Sequence, residues 1–362
     1  MQQRNHYLDI LRGLAVFLMV FGHCLQYGNG TELIKSNGFF YNTVFELIYS
    51  FHMPLFMILS GYLFFYTVRK CENHKAFIKN RFWRIIMPVI GWQTVRYLLI
   101  AVSMIINKES VTIYFVYSYV RSWVTYFWFL PAILYSSIIV YLVRRYAKDS
   151  VIVYIVVMAV TLVTPDYFVT NLAQHKFMYP YFVCGYLYAV HMGTVQRQLG
   201  KLSIGKWFGI AAFCYIILFL FWDIDAYIYT SGYTLLGRDN VLRQLLIDCY
   251  RQLIGFVGSC MVMLAVKLLY DWKPAAKAVS VKVRRTVDRC QVIFEKLGKE
   301  SLCIYIISNE LVRVILNDHS DYFHFSYLGT MIETVLIILI CYWTSVGIGK
   351  VSWLNRFLLG GR

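Results

Sequence analysis

The sequence predicts an all-α fold, a polytopic integral membrane bundle of about ten transmembrane helices with both termini cytoplasmic. Three observations predict it. Of 362 residues, 59% are hydrophobic and 15% charged, where a soluble domain carries roughly 25% charged residues. The apolar residues fall in continuous runs of spanning length rather than in period-two alternation, which favours helices over a barrel. The loops between the runs alternate between rich and poor in Lys and Arg, the signature of membrane orientation.

The runs lie near 8–27, 40–66, 83–106, 127–143, 150–164, 176–192, 207–223, 249–271, 301–316 and 327–348, the fifth and ninth being short. The first is not a convincing signal peptide, since no small-x-small cleavage site follows Gly28. The 2–3 connection carries Arg69, Lys70, Lys75, Lys79, Arg81 and Arg84, and the 4–5 connection Arg144, Arg145 and Lys148. The 6–7 connection has Arg197, Lys201 and Lys206, and the 8–9 connection runs from Lys273 to Lys299 with eight basic residues. The 1–2 loop has only Lys35, and the 9–10 loop carries Asp318 and Asp321. The net charge of +16 is therefore mostly topological, and nucleic acid is not expected as a partner. The segment at about 273–300 repeats Val279, Val283, Val287, Cys290, Phe294 and Leu297 at helical spacing against a basic face. That pattern predicts a basic amphipathic helix on the inner leaflet, anchoring to anionic lipid or offering a platform to an anionic ligand. The chain is read as one membrane domain, 1–362, without an additional soluble domain. Its nine cysteines include no C-x-x-C, with seven in or beside apolar stretches and Cys71 and Cys290 in basic segments, and they read as buried small apolar residues.

Ionisable groups at membrane depth are costly and are functional candidates. They are Arg12, His23, Glu46, His52, Arg96, Glu310, Arg313 and Glu333. Arg12 and His23 are eleven residues apart on one span, which places them on one helix face roughly 16 Å apart. An imidazole can serve as general base or acyl carrier, and an arginine near the inner surface can pair with phosphate. For His52 the plainer reading is helix packing through a hydrogen bond. Pro54 is expected to kink its helix, and Ser60-Gly61 to allow close packing. Arg81 and Arg84, before Pro88, read either as positive-inside anchors or as phosphate contacts. Glu310 and Arg313 can form an i,i+3 ion pair, and Arg96 and Glu46 are a further candidate pair. Tyr126–Leu130 reads as an interfacial aromatic belt or a sugar platform. His319 and His324 around Asp321 have a spacing that suits a metal, although a solvated loop is the plainer reading.

These residues carry a resemblance. Tyr7-Leu-Asp-Ile-Leu-Arg-Gly-Leu-Ala15 with Val20-Phe-Gly-His23 resembles the signature of the membrane acyltransferase 3 family, in which an arginine is followed after ten residues by a histidine. Phe51-His-Met-Pro-Leu-Phe56 with Leu59-Ser-Gly-Tyr62, then Arg81 and Arg84 before Pro88, then Trp128-Phe-Leu-Pro131, resemble the second, third and fourth blocks. Tyr179-Pro-Tyr-Phe-Val-Cys-Gly185 is similar to a stretch in fucose-acetylase-like members, and Leu297-Gly-Lys-Glu-Ser-Leu-Cys-Ile-Tyr305 resembles a late block. Members often have histidine three residues after that tyrosine, where this chain has Ser308.

The resemblance implies a bacterial inner-membrane O-acyltransferase, with acetyl-CoA or another acyl-CoA as cytoplasmic donor and a carbohydrate hydroxyl, on a polysaccharide or lipid-linked glycan, as acceptor. It implies His23, Arg12 and Asp9 in catalysis, Arg81, Arg84 and Ser60 at the donor, and His52, Trp128 and Glu310 at the acceptor. No metal is expected, because a thioester is already activated. Homo-oligomerisation or association with glycan-assembly proteins is compatible with this reading. The rival readings are a multi-span transporter and a polysaccharide-export subunit without acyl-transfer chemistry.

Overall fold

The computed structural model describes residues 5–27, 38–110, 112–166, 171–235, 239–272, 278–313 and 326–361. Helices dominate, and no strand occurs among the described residues. In order they are α1 (His6–Tyr27), α2 (Thr43–Val68), α3 (His74–Arg81), a π-helical turn (Phe82–Ile86), α4 (Met87–Ile106), α5 (Ile113–Thr125) and α6 (Phe129–Ala147). Then follow α7 (Val151–Val163), α8 (Leu172–Val190), α9 (Met192–Leu199), α10 (Ile204–Phe219) and the single turn α11 (Ile228–Ser231). The last five are α12 (Val241–Asp271), α13 (Ala278–Lys299), α14 (Ser301–Val312), α15 (Tyr327–Gly349) and α16 (Ser352–Leu358).

Local sequence explains the boundaries. Asn42 Oδ1 accepts from the amides of Val44 and Phe45 at the start of α2, and Asn73 Oδ1 accepts from Ala76 at the start of α3. Such caps satisfy donors that the helix itself leaves open. Past the end of α6, Lys148 and Asp149 take positive φ, which stops the helix. α2 continues through Pro54 as one helix.

Each of the ten expected segments contains a helix, but the expected count of ten spans is not what the described residues show. Six helices are long and apolar enough to cross a membrane: α1, α2, His74–Ile106, α6, α12 and α15. A seventh is present if α9 and α10, bent by 89°, form one broken span. The expected fifth segment is the short helix α7, of 13 residues, which at 1.5 Å per residue rises only about 20 Å, against roughly 30 Å of hydrocarbon. The expected ninth contains α14, and its positions 314–316 lie outside the described residues. α5 was not anticipated from the sequence. Leu98, Leu99, Ile105, Phe213, Ile216, Leu220 and Trp343 lie exposed along these helices. An apolar exterior of this kind is what lipid contact requires, and the chain is a multi-pass membrane protein. Five of the nine free cysteines, among them Cys184, Cys214 and Cys260, are exposed rather than core residues.

The chain divides into two compact units. The first comprises 1–59, 187–231 and 245–345; the second comprises 60–186, 232–244 and 346–362. In the first, Phe21, Leu25, Phe39, Phe45, Ile48 and Tyr227 form one buried cluster. α13 is a helix, as its pattern predicts, and its C-terminal half is docked on α1. Gly13 and Gly298 meet there so closely that a methyl group on either would overlap the other helix's backbone, and Phe294 packs edge-on to Phe17. Lys282, Arg285, Arg289 and Lys296 remain exposed on the opposite stripe.

In the second unit, Phe77 stacks on Tyr141 with centroids 3.9 Å apart. Gly61 lies against the Phe182 carbonyl, which bears out the close packing expected at Ser60-Gly61. Arg144 and Tyr154 gather with Tyr186 on the Asp149 carboxylate. α16 seats on the start of α4: Trp92 Nε1 donates to the Leu358 carbonyl at 3.0 Å.

Candidate active site

The first unit holds Asp9, Arg12, His23, His52 and Glu310. Arg12 leaves α1 one turn after Asp9 and is held from two sides. Its Nη1 stands 3.8 Å from the Asp9 carboxylate, and its Nη2 donates to Ser301 Oγ at 2.7 Å. Asp9 is buried. Ser301 is the first residue of α14, so the guanidinium sits where open main-chain amides also concentrate positive potential. The Gly13–Gly298 contact lets α13 deliver α14 to this position. Sequence reading placed Ser301 within a family block but gave it no role; its spacing of three from Gly298 was the available signal.

Farther along α1 lies His23. Its Nδ1 is buried without a hydrogen-bond partner, and the ring is hydrogen-bonded to Gln26. His52, on α2, is buried, and its Nδ1 lies 2.7 Å from the Ile48 carbonyl one turn back. Because a carbonyl can only accept, Nδ1 carries the proton and Nε2 is left with its lone pair. The plainer reading of His52, a packing hydrogen bond, describes half of this ring. The other half is proximity, since the two imidazoles stand within electrostatic range of each other. Tyr49 packs edge-on to His52 with centroids 4.8 Å apart. α15 reaches the same level of α1, where Thr334 hydrogen-bonds Cys24 and Glu333 acts on it electrostatically. One buried Glu333 oxygen, Oε2, has no partner. Glu310 accepts from Arg313 Nη2 at 3.4 Å, the expected i,i+3 pair.

The second unit holds Ser60, Arg81, Arg84 and Trp128. The two arginines, read alike from the sequence, differ in environment. Arg81 is 8% exposed, its guanidinium lying over Phe64 at 5.0 Å and over Phe77 at 5.9 Å. Its Nη2 donates to Asn80 at 2.6 Å. Arg84 lies within the π turn and is exposed. The extra residue of a π turn shifts the faces that follow, which separates the two side chains. Arg96, considered as a partner for Glu46, lies 4.1 Å over the Tyr126 ring. Ser60 is half-buried beside the Gly61 contact, and Trp128 is half-buried at the N-cap of α6. Among the described residues no group of three His, Cys, Asp or Glu could hold a metal. His319, Asp321 and His324 lie outside the described residues.

Comparison with known proteins identifies the family. A family model described as an acyltransferase domain matches residues 5–350. The nodulation protein NolL of Sinorhizobium fredii (strain NBRC 101917 / NGR234) is 24% identical over 334 residues, covering 86% of this chain and 79% of that one. NolL of Mesorhizobium japonicum is 26% identical over 320 residues, covering 86% and 78%. No solved structure matches the chain. With Arg12 and His23 on one helix, and the match running over almost the whole length, the chain belongs to the membrane acyltransferase 3 family.

Proposed function

We propose that this protein is a bacterial inner-membrane O-acyltransferase that moves an acyl group, most simply acetyl, from cytoplasmic acyl-CoA to a hydroxyl of an envelope or exported carbohydrate. The observation that carries the reading is His23: a membrane-embedded imidazole with an unpartnered buried Nδ1, close to His52, on the helix whose Arg12 is fixed by Asp9 and Ser301. The loop charges support cytoplasmic termini, which puts Arg12 at the donor side and His23 deeper.

In this reading the candidates for the anionic nucleotide end of the donor are Arg12 in the first unit and Arg81, Arg84 and Ser60 in the second. Arginine suits that task because its planar donors match phosphate oxygens. The flexible thioester arm extends toward His23. His23 takes the proton from the acceptor hydroxyl as its oxygen attacks the thioester carbonyl. The C–S bond breaks, and the proton passes to the departing thiolate, so that CoA leaves as the thiol. His23 as a transient acyl carrier is the variant of the same scheme. Asp9 orients Arg12, while His52, Trp128 and Glu310 serve the acceptor.

The test uses protein purified into nanodiscs with radiolabelled acetyl-CoA. Wild type should release CoA and label a glycan acceptor extracted from envelopes of a strain lacking the gene. His23→Ala should remain folded and lose both activities. Retention of near-wild-type CoA release by His23→Ala sinks the proposed role. Transport of glycan without consumption of acetyl-CoA would replace the enzyme with a transporter.

A further inference from the structure

His175, near the start of α8, is 5% exposed. One ring nitrogen is hydrogen-bonded to the main chain of Trp128. The other, Nε2, is buried without a partner. The surroundings are aromatic and rigidly tied. Tyr135 of α6 faces the imidazole with centroids 6.1 Å apart, and Tyr179, one turn along α8, packs edge-on to Tyr135. Asn171 Nδ2 donates to the Thr125 carbonyl at 2.9 Å, which fixes the start of α8 against the end of α5. A buried polar atom without a partner is costly, and such atoms mark places where something else supplies the bond.

The chemistry at His175 selects a class of ligand. Its Nε2 can only accept, because the other ring nitrogen bonds the main chain of Trp128. The neighbouring cation, Lys176, is engaged with Asp166 at 2.5 Å. A neutral acceptor among tyrosine rings suits a ligand that offers hydroxyl protons and an apolar face, a neutral sugar ring, better than a phosphate or a carboxylate, which offer no proton. We propose that the end of this unit where α6 and α8 begin, around Trp128 and His175, is a binding site for a neutral sugar ring, with His175 Nε2 accepting from one of its hydroxyls. His175 is thereby a binding residue for the acceptor; the assignment rests on the carbohydrate-acceptor reading above and adds a site to it.

The test uses full-length protein in nanodiscs and a panel of methyl glycosides of fucose, rhamnose, glucose, galactose and N-acetylglucosamine. Binding is read by saturation-transfer NMR without donor, and acetyl transfer is read separately. His175→Ala should weaken glycoside binding by about tenfold or more, the loss of one good hydrogen bond. The KM for acetyl-CoA and the thermal midpoint should stay at wild-type values. His175→Gln, whose amide reaches the Nε2 position, should recover part of the binding. Unchanged glycoside affinity in His175→Ala overturns the proposal, as does a fall in thermal midpoint that His175→Gln shares. Absence of saturation transfer from wild type to any glycoside also overturns it, whether or not acetyl-CoA is consumed. If glycosides bind through His175 but wild type leaves acetyl-CoA intact, the sugar site stands and the acyl-transfer reading fails.

Discussion

Arg12 and Ser301, 289 residues apart in the chain, are joined by a 2.7 Å hydrogen bond from guanidinium to hydroxyl. The bond links the first family block to the late one and orients the cation of the arginine–histidine pair. Ser301→Ala removes the acceptor while leaving the Asp9 carboxylate at 3.8 Å. A hydrogen bond to a charged group contributes about 1.5–3 kcal/mol, so donor kcat/KM should fall by roughly 10- to 100-fold with the KM for the acceptor unchanged. Unaltered steady-state kinetics with acetyl-CoA would show that Arg12 does not need Ser301.

The contact beneath that bond is steric. A methyl group on Gly13 would overlap the Phe294 carbonyl, and one on Gly298 would overlap the Asp9 carbonyl. Backbone cannot retreat as a flexible side chain does, so Gly13→Ala and Gly298→Ala should each cost several kcal/mol, in the range of severe overpacking. The thermal midpoint in detergent should drop by many degrees or the protein should fail to accumulate. Gly209→Ala, on α10 with nothing within 4 Å, is the control and should leave the midpoint unchanged or slightly raised, because Ala is favoured over Gly inside a helix.

The arginines at the π turn separate a folding role from a binding role. Arg81→Ala should lower the thermal midpoint, because the guanidinium packs on Phe64 and Phe77. Arg84→Ala should leave stability alone, since Arg84 is exposed, and raise the KM for acetyl-CoA by up to about fivefold, the worth of an exposed ion pair of ~1 kcal/mol. A donor KM that rises in neither variant removes both from the donor site.

The helices themselves were legible because apolar runs of membrane length have few alternatives. Their lengths were not, since hydropathy does not record where a chain leaves the helix: 207–223 reads as a span, yet α10 ends at Phe219. The pairing of Arg12 with His23 on one face followed from helical periodicity alone. The partners of Arg12 and the nearness of His52 depend on tertiary packing, in particular on α13 docking against α1. The difference between Arg81 and Arg84 was hidden for another reason, because a π turn has no clear sequence signature. His175 was not among the candidates because it lies one residue outside the apolar run 176–192.

The α1–α13 junction also carries an acid-sensitive contact. Lys299, at 2.5 Å, holds the Glu295 carboxyl below its ordinary range, with His6 at 3.0 Å on its other side. A carboxyl depressed in the folded state contributes stability above its unfolded pKa of about 4.3 and loses it as the pH falls through the lower folded value. The contact should therefore be intact at neutral pH and weaken only in acid, below about pH 4. Glu295→Gln should flatten that acid limb in thermal midpoints measured from pH 7 down to pH 3. A midpoint profile identical to wild type would remove the contact from the stability of the junction.

The C-terminal turn gives the sharpest comparison between neighbouring residues. Gly360 and Gly361 both have positive φ, 75° and 70°, a region that costs an ordinary L-residue about 1–2 kcal/mol. They differ in what surrounds them. A Cβ on Gly360 would sit 2.8 Å from the Trp83 carbonyl and 3.1 Å from Arg84 Cα, whereas one on Gly361 would come no nearer than 3.9 Å to Arg356. Arg356 itself covers the Trp83 ring at 4.1 Å, so this turn closes over the π turn that presents Arg84. Gly361→Ala should lose only the conformational cost, a few degrees in thermal midpoint. Gly360→Ala should lose more than that and, by displacing Trp83 and Arg84, also raise the KM for acetyl-CoA. Equal thermal losses in the two variants, with equal donor KM, would mean that the C-terminal turn is strained but does not position Arg84.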